Sequence, residues 1–201
     1  MSNPELPHRI QIHQDNLRTN AILRESSIIG LNAAVTDPLT GLYNRRYAQS
    51  HINLLLEDAR SNGGSVTALM VDIEHFKSIN DVHGHFVGDQ VICSVVHTLK
   101  SAIRASDLVA RFGGEEFVVL LPNISSKDVN TLAQRLRRKV SEITTDATPI
   151  AITISIGISR FDTAKLFESG LENYDQLLKE ADQALYHAKR AGRNCVAHYS
   201  H

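Results

Sequence analysis

Residues 10–35 carry apolar side chains at alternating spacings of four and three, which is a heptad pattern with two polar interruptions. The positions are Ile10, Gln14, Leu17, Ala21, Arg24, Ile28, Leu31 and Val35. The pattern fits a paired stalk helix in a parallel dimer, and it also fits a single helix lying on the domain. We therefore predict an N-terminal tail and helical extension over residues 1–36, with a folded domain at 37–201.

After residue 37 the pattern changes to short apolar runs that alternate with segments of helical periodicity. Helices are predicted at 43–61, 87–103, 125–143 and 174–191, with a polar loop at 77–85. Strands are predicted at 66–72, 107–112, 117–121, 150–159 and 195–199. This order predicts an α+β fold of the ferredoxin-like or palm type, in which helices flank a central antiparallel or mixed β-sheet.

Composition limits the function classes that fit the chain. The 201 residues suffice for one domain and a short extension, and the net charge of −1 argues against a broad basic surface for nucleic acid. The sequence contains no run of about 18 consecutive apolar residues, the length that would predict a membrane-spanning helix. Cys93 and Cys195 lie in apolar periodic segments, so we expect buried free thiols in a cytoplasmic protein.

A predicted hairpin carries the clearest candidate chemistry. Gly113 and Gly114 would allow positive φ and close approach of a ligand, and Glu115 and Glu116 follow them directly. Asp72 ends the predicted buried strand, so these acids would converge if the strands are neighbours, and convergent carboxylates suit Mg²⁺. Taken singly, a strand-end cap for Asp72 and a solvated turn for the glutamates are simpler interpretations.

Longer motifs favour the metal site over these simpler interpretations. Four segments carry these motifs: residues 37–46, residues 72–89, the run Gly113, Gly114, Glu115, Glu116 and Phe117, and residues 188–194. Together they resemble the GGDEF family of diguanylate cyclases. The glutamate that follows the two glycines is the family's common variant. The resemblance implies an enzyme that joins two GTP molecules into cyclic di-GMP and releases pyrophosphate. It also implies Mg²⁺ or Mn²⁺, two ions per active site, and a homodimer that holds one GTP in each subunit.

The resemblance also implies roles for individual residues around the hairpin. Asp72 and Glu115 would ligate the metal ions together with the Ile73 carbonyl, and Glu115 could take the proton of the ribose hydroxyl. Glu116 would support the metal shell or the substrate. Gly113 and Gly114 would leave room for the nucleotide.

Two further sets of residues are implied to hold GTP. Asn80 and Asp89 resemble the family's guanine readers, for which the alternatives are a turn residue and a helix N-cap. The triphosphate would be held by four residues, which are Phe76, Lys77, Lys189 and Arg193. For the last two, interaction with the dipole at a helix end is the alternative.

Arg104 and Asp107 match the register of the family's inhibitory product site, although such a pair is usually an ordinary ion pair. Two alternatives to an active cyclase remain: a cyclic di-GMP receptor that lacks turnover, and an adenylate-type nucleotidyl cyclase with a related palm fold. The sequence does not specify the upstream signal, a regulatory protein partner or the extent of any longer chain.

Overall fold

A computed structural model describes residues 34–144, 150–163 and 174–200. Its strands are β1 (Tyr43–Asn44), β2 (Ser65–Ile73), β3 (Leu108–Arg111), β4 (Glu116–Pro122), β5 (Ile154–Asp162) and β6 (Val196–His198). Its helices are α1 (Arg45–Asn62), α2 (Phe76–His83), α3 (His85–Ala102), α4 (Ser126–Ser141) and α5 (Tyr174–Arg190). These elements lie in the unit that begins at residue 37, and residues 10–33 of the predicted stalk helix fall outside the described residues.

The strands form one sheet in the order β1-β3-β4-β2-β5-β6. β2 lies between β4 and β5 and pairs antiparallel with both, whereas β1 with β3 and β5 with β6 are parallel pairs. All nine residues of β2 are buried, as expected for a nearly continuous apolar run with neighbours on both sides and helices over both faces. The predicted fold class is confirmed, and the sheet is mixed.

Alternation along β2 divides the core between the two faces of the sheet. Leu69, Val71 and Ile73 join the core that includes residues of α3 and α4. Ala68 and Met70 join the core that includes residues of α1 and α5. Asp72 continues the second series, so its carboxylate emerges on the same face of the sheet as α5.

The predicted polar loop at 77–85 was wrong, because most of it is helix α2. Phe76 and Ile79 are three residues apart and both buried, so packing against α3 stabilises a helix that is too short to show clear periodicity. Cys93 is exposed and Cys195 is partly buried, so the predicted burial of both thiols was also wrong. The predicted N-cap of α4 is confirmed, since Asp128 N donates to Ser125 Oγ at 3.1 Å.

No helix in the described ranges is both long enough and apolar enough to cross a lipid bilayer.

Candidate active site

The acids that were predicted to converge lie together at the end of the central strand β2, where it pairs with the start of β4. Asp72 near the end of β2 lies opposite Glu116, the first residue of β4. One step further, Ile73 N donates to the carbonyl oxygen of Glu115 at 3.2 Å. The β2–β4 register thus brings Asp72, Ile73, Glu115 and Glu116 into one short stretch of paired backbone.

Lys189 near the end of α5 supplies positive charge to this cluster. Its Nζ lies 2.8 Å from Asp72 Oδ2, and the Asp72 side chain is only 8 % exposed. Burial raises the pKa of Asp72, and the Lys189 contact offsets only part of that effect. The pKa of Glu115 is also raised, first by burial and then by the negative charges of Asp72 and Glu116. The cluster therefore holds more negative charge than Lys189 balances.

This set of donors fits a divalent cation that also binds phosphate. Mg²⁺ keeps several waters and is typically held by one or two carboxylates together with substrate phosphates. Asp72 and Glu115 would supply the carboxylates, and the Ile73 carbonyl lies in the same segment. Within the described ranges no group of three or more histidine, cysteine or acidic side chains could hold a metal, so phosphates and waters would complete the coordination.

The two glycines of the hairpin differ in their surroundings, and neither is required by its backbone conformation. Neither Gly113 nor Gly114 has a positive φ, so that part of our expectation was wrong. A β-carbon at Gly113 would lie 2.6 Å from Glu116 Oε2, because the Glu116 side chain folds back over the turn. A β-carbon at Gly114 would meet nothing within 4 Å, which leaves that side of the hairpin open to a ligand.

Arg111 fixes the hairpin to the start of the domain, a link that our sequence analysis missed. Its Nη2 donates to Gly114 O at 2.7 Å, and its Nε contacts the carbonyls of Gly113 and Gly114 at 3.2 Å. Its Nη1 lies 3.1 Å from both carboxylate oxygens of Asp37. The position of Arg111, two residues before Gly113, was the available signal.

A second ion pair adjoins the first. Arg193 Nε lies 3.0 Å from Glu74 Oε2, and the Glu74 side chain is 3 % exposed. Ser155 donates to the other oxygen of Glu74, so both carboxylate oxygens are held. Lys189 and Arg193, four residues apart, therefore approach the end of β2 together, and their exposed fractions of 33 % and 50 % leave them accessible to an anion.

The predicted guanine readers lie on neighbouring helices. Asn80 belongs to α2, so it is not a turn residue, and its Oδ1 is buried without a hydrogen-bond partner. A β-carbon at Gly88 would overlap this oxygen, which places Asn80 directly against the residue before Asp89. Asp89 is exposed in the first turns of α3, whose N-cap is Gly84, so the N-cap alternative was wrong. An unpaired buried acceptor is the group that a ligand donor would satisfy.

Phe76 and Lys77 are the first two residues of α2, two positions after Glu74. The Phe76 side chain is buried in the core, so only its backbone can face a ligand, whereas the Lys77 side chain is exposed. The amide groups of a first helical turn attract anions. Both residues can therefore contribute to phosphate binding, Phe76 through its backbone alone.

Arg104 and Asp107 form a tight turn before β3, at the opposite end of that strand from the glycine hairpin. Arg104 N donates to Asp107 Oδ2 at 2.9 Å. Both residues line a pocket of about 170 Å³ that α4 closes with Asp128, Thr131 and Arg135. Arg135 was missed in the sequence analysis, because its place beside Arg104 depends on how α4 packs on the sheet.

Comparisons with known proteins identify the family of the chain. Residues 34–195 match the family model described as diguanylate cyclase, GGDEF domain. The chain is 40 % identical over 196 residues to the response regulator PleD of Caulobacter vibrioides, covering 96 % of this chain and 42 % of PleD. It is 41 % identical over 169 residues to the probable diguanylate cyclase DgcT of Escherichia coli, covering 82 % of this chain and 36 % of DgcT. The chain thus spans less than half the length of these relatives.

Solved structures lead to the same family. The coiled coil and GGDEF domain of DgcB from Caulobacter crescentus, solved with c-di-GMP, has a TM-score of 0.84 at 30 % identity, covering 96 % of this chain and 99 % of that one. The diguanylate cyclase SiaD from Pseudomonas aeruginosa, solved with its activator SiaC, has a TM-score of 0.76 at 30 % identity, covering 96 % and 73 %. This chain belongs to the GGDEF-domain family of diguanylate cyclases.

Proposed function

We propose that the chain converts two molecules of GTP into cyclic di-GMP and two molecules of pyrophosphate. The observation that carries the proposal is the convergence of Asp72, Glu115 and Glu116 beside Lys189 in a chain of this family. Each ribose 3′-hydroxyl attacks the α-phosphorus of the other GTP, and the bond from that phosphorus to pyrophosphate breaks. Two ester bonds form, two pyrophosphates leave, and each hydroxyl proton passes to Glu115.

Two Mg²⁺ or Mn²⁺ ions in each active site would neutralise the triphosphate and favour ionisation of the attacking hydroxyl. Asp72, Glu115 and the Ile73 carbonyl would hold them, and Glu116 would support the shell from across the turn. A β-carbon at Gly114 would meet nothing within 4 Å, so the reacting phosphate would have room to approach the hairpin there.

The remaining residues would bind and orient the substrate. Asn80 and Asp89 would pair with the guanine edge, and the unpartnered Asn80 Oδ1 supports a ligand at this point. Lys189 and Arg193 would exchange part of their present contacts with Asp72 and Glu74 for the triphosphate. Lys77 and the Phe76 backbone would face the same phosphates from the start of α2.

Each subunit would hold one GTP, so a homodimer with opposed sites is required for turnover. DgcB was solved as a coiled coil with a GGDEF domain, which supports a paired helix before residue 37. SiaD was solved with an activator, which supports a protein partner of unidentified nature for this chain as well.

Arg104, Asp107 and Arg135 would bind cyclic di-GMP and inhibit the enzyme. Arginine can pair with the O6 and N7 atoms of guanine, and aspartate can accept from its N1 and N2 donors. The c-di-GMP present in the DgcB structure supports such binding. The same pocket favours the second candidate function, that of a receptor which binds cyclic di-GMP without making it.

Incubation of the chain with GTP and Mg²⁺ tests these alternatives through the appearance of cyclic di-GMP and pyrophosphate. We expect Glu115→Gln to abolish turnover and Glu57→Gln, on the exposed face of α1, to retain it. Cyclic di-GMP binding without any turnover by the unaltered chain, at concentrations where it is dimeric, would favour the receptor. Arg104→Ala should weaken product binding and inhibition, and unchanged inhibition would contradict the product site.

A further inference from the structure

The loop after α5 that carries Arg193 has an unusual backbone. Gly192, Arg193 and Asn194 all have positive φ angles, of 116°, 63° and 44°. Residues other than glycine resist this left-handed region, and a run of such residues persists only when the surroundings hold it. Backbone hydrogen bonds from Arg193 N to Ala188 O and from Ile156 N to Cys195 O hold the two ends of the loop.

A side chain of α4 holds the middle of this loop. Arg137 Nη1 lies 3.2 Å from the carbonyl oxygen of Asn194 and 3.0 Å from its Oδ1, so one guanidinium nitrogen contacts backbone and side chain together. Gln134, one turn earlier on α4, accepts from Arg137 Nε at 3.1 Å and orients the guanidinium. The contact joins residues 57 positions apart in sequence.

Asn194, the residue that Arg137 contacts, directly follows Arg193, whose side chain reaches Glu74 at the end of β2. A change of φ or ψ at Asn194 or Arg193 would swing the Arg193 side chain away from that position. We infer that Arg137 is a positioning residue for the GTP triphosphate, which holds the loop of residues 192–194 so that Arg193 faces the active site. This inference rests on the proposed function, because it takes Arg193 as a phosphate ligand.

The role requires the guanidinium group and not only a positive charge. Nη1 contacts both Asn194 oxygens while Nε of the same planar group donates to Gln134, so the guanidinium is held in place at little cost in side-chain freedom. A lysine has no second nitrogen for Gln134, so its ammonium group would be held less firmly beside Asn194. Arg138, the next residue of α4, provides a control because its side chain is 69 % exposed and pairs only loosely with Glu142, at 3.9 Å.

Binding of 3′-deoxy-GTP, which lacks the attacking hydroxyl, measures substrate affinity without turnover. We expect Arg137→Ala to raise its Kd and the KM for GTP about fivefold to tenfold, an effect the size of one ordinary hydrogen bond because Arg137 acts through Arg193, with kcat changing less. Arg137→Lys should restore part of the affinity, and Arg138→Ala should bind like the unaltered chain. Unchanged affinity in Arg137→Ala, or a loss in kcat alone, would overturn the inference.

Digestion with trypsin in the absence of nucleotide reports on the loop itself. Cleavage after Arg193 should be several-fold faster in Arg137→Ala than in the unaltered chain or Arg138→Ala, at a temperature well below the unfolding midpoint of each. Equal cleavage rates would show that Arg137 does not hold the loop and would overturn the inference. If the unaltered chain binds 3′-deoxy-GTP but makes no cyclic di-GMP, the proposed function fails. The affinity of Arg137→Ala for 3′-deoxy-GTP would still test whether Arg137 positions Arg193.

Discussion

Gly88 lies where the backbone of α3 packs against the side chain of Asn80. A β-carbon at Gly88 would overlap Asn80 Oδ1 and lie 3.2 Å from Phe76 Cζ. We expect Gly88→Ala to displace the Asn80 amide, to raise the KM for GTP about tenfold, and to reduce the preference for GTP over ATP, since the displaced amide would no longer make its proposed pairing with guanine. Steady-state kinetics with both nucleotides measure the two effects.

His97→Ala, at an exposed position of the same helix, is the control for general effects on α3. If Gly88→Ala lost stability while the GTP-to-ATP ratio of kcat/KM stayed unchanged, Asn80 would not be a guanine reader. The comparison therefore separates a defect in packing from a defect in recognition.

Asp37 connects stability to pH through its contacts with Thr40 and Arg111. Burial alone would raise the pKa of Asp37, but hydrogen bonds from Thr40 and Arg111 outweigh it and hold the pKa below the ordinary value of 3.8. A pKa that is lower in the folded than in the unfolded state stabilises the fold above the unfolded-state pKa. That contribution is lost as the pH falls through the native pKa.

We expect Asp37→Asn to lower the free energy of unfolding by about 1–3 kcal/mol at pH 7, the usual effect of losing a hydrogen bond to a charged group. The difference from the unaltered chain should shrink as the pH falls through the native pKa of Asp37, which lies below its ordinary value of 3.8. Urea unfolding between pH 7 and pH 2.5 measures it, with Glu57→Gln as an exposed control. A difference that stays constant over this range would contradict the ion pair with Arg111.

At the scale of elements, α5 reaches the active site because it packs very closely on β5. A β-carbon at Gly157 would overlap Ala181 O and Leu185 N and lie 2.7 Å from Leu185 Cα, all backbone atoms of α5. Gly157→Ala should therefore push α5 away from the sheet and lower the free energy of unfolding by about 1–3 kcal/mol. Lys189 would move with the helix, so GTP turnover should fall as well.

Gly114→Ala is the matched control for stability, because the added methyl group meets nothing within 4 Å and Gly114 does not have a positive φ. Its free energy of unfolding should stay within about 0.5 kcal/mol of that of the unaltered chain. Equal effects of the two substitutions in urea unfolding would mean that α5 can adjust to an added side chain on β5.

The elements that the sequence predicted well have strong local signals. β2 is a nearly continuous apolar run, and α4 follows Ser125, an N-cap whose hydroxyl accepts from Asp128 N. α2 and the two-residue strand β1 are too short to carry a period, and they form because the surrounding structure stabilises them. The four residues of β3 and the turn that follows it were predictable from apolar runs on either side of two glycines.

The whole molecule decides which charged residues meet, and here the sequence was less informative. The proximity of Asp72 and Glu115 could be predicted from the sequence, because each lies next to an apolar run and within one of the family's motifs. Arg135 and Arg137 lie on the same helix, yet one lines the pocket of Arg104 and the other holds Asn194. That division depends on how α4 lies against the sheet, and no spacing in the sequence records it.

The proposed mechanism requires two active sites to meet, so the rate should depend on how subunits associate. If residues 1–36 form the paired stalk, a chain that begins at residue 37 should be monomeric, and its turnover per subunit should rise in proportion to protein concentration. The full chain should sediment as a dimer with turnover independent of concentration over the same range. Sedimentation velocity and initial rates at matched concentrations measure both, and circular dichroism checks that the shorter chain is folded. An unchanged oligomeric state would leave the single-helix interpretation and place the dimer contacts within the domain.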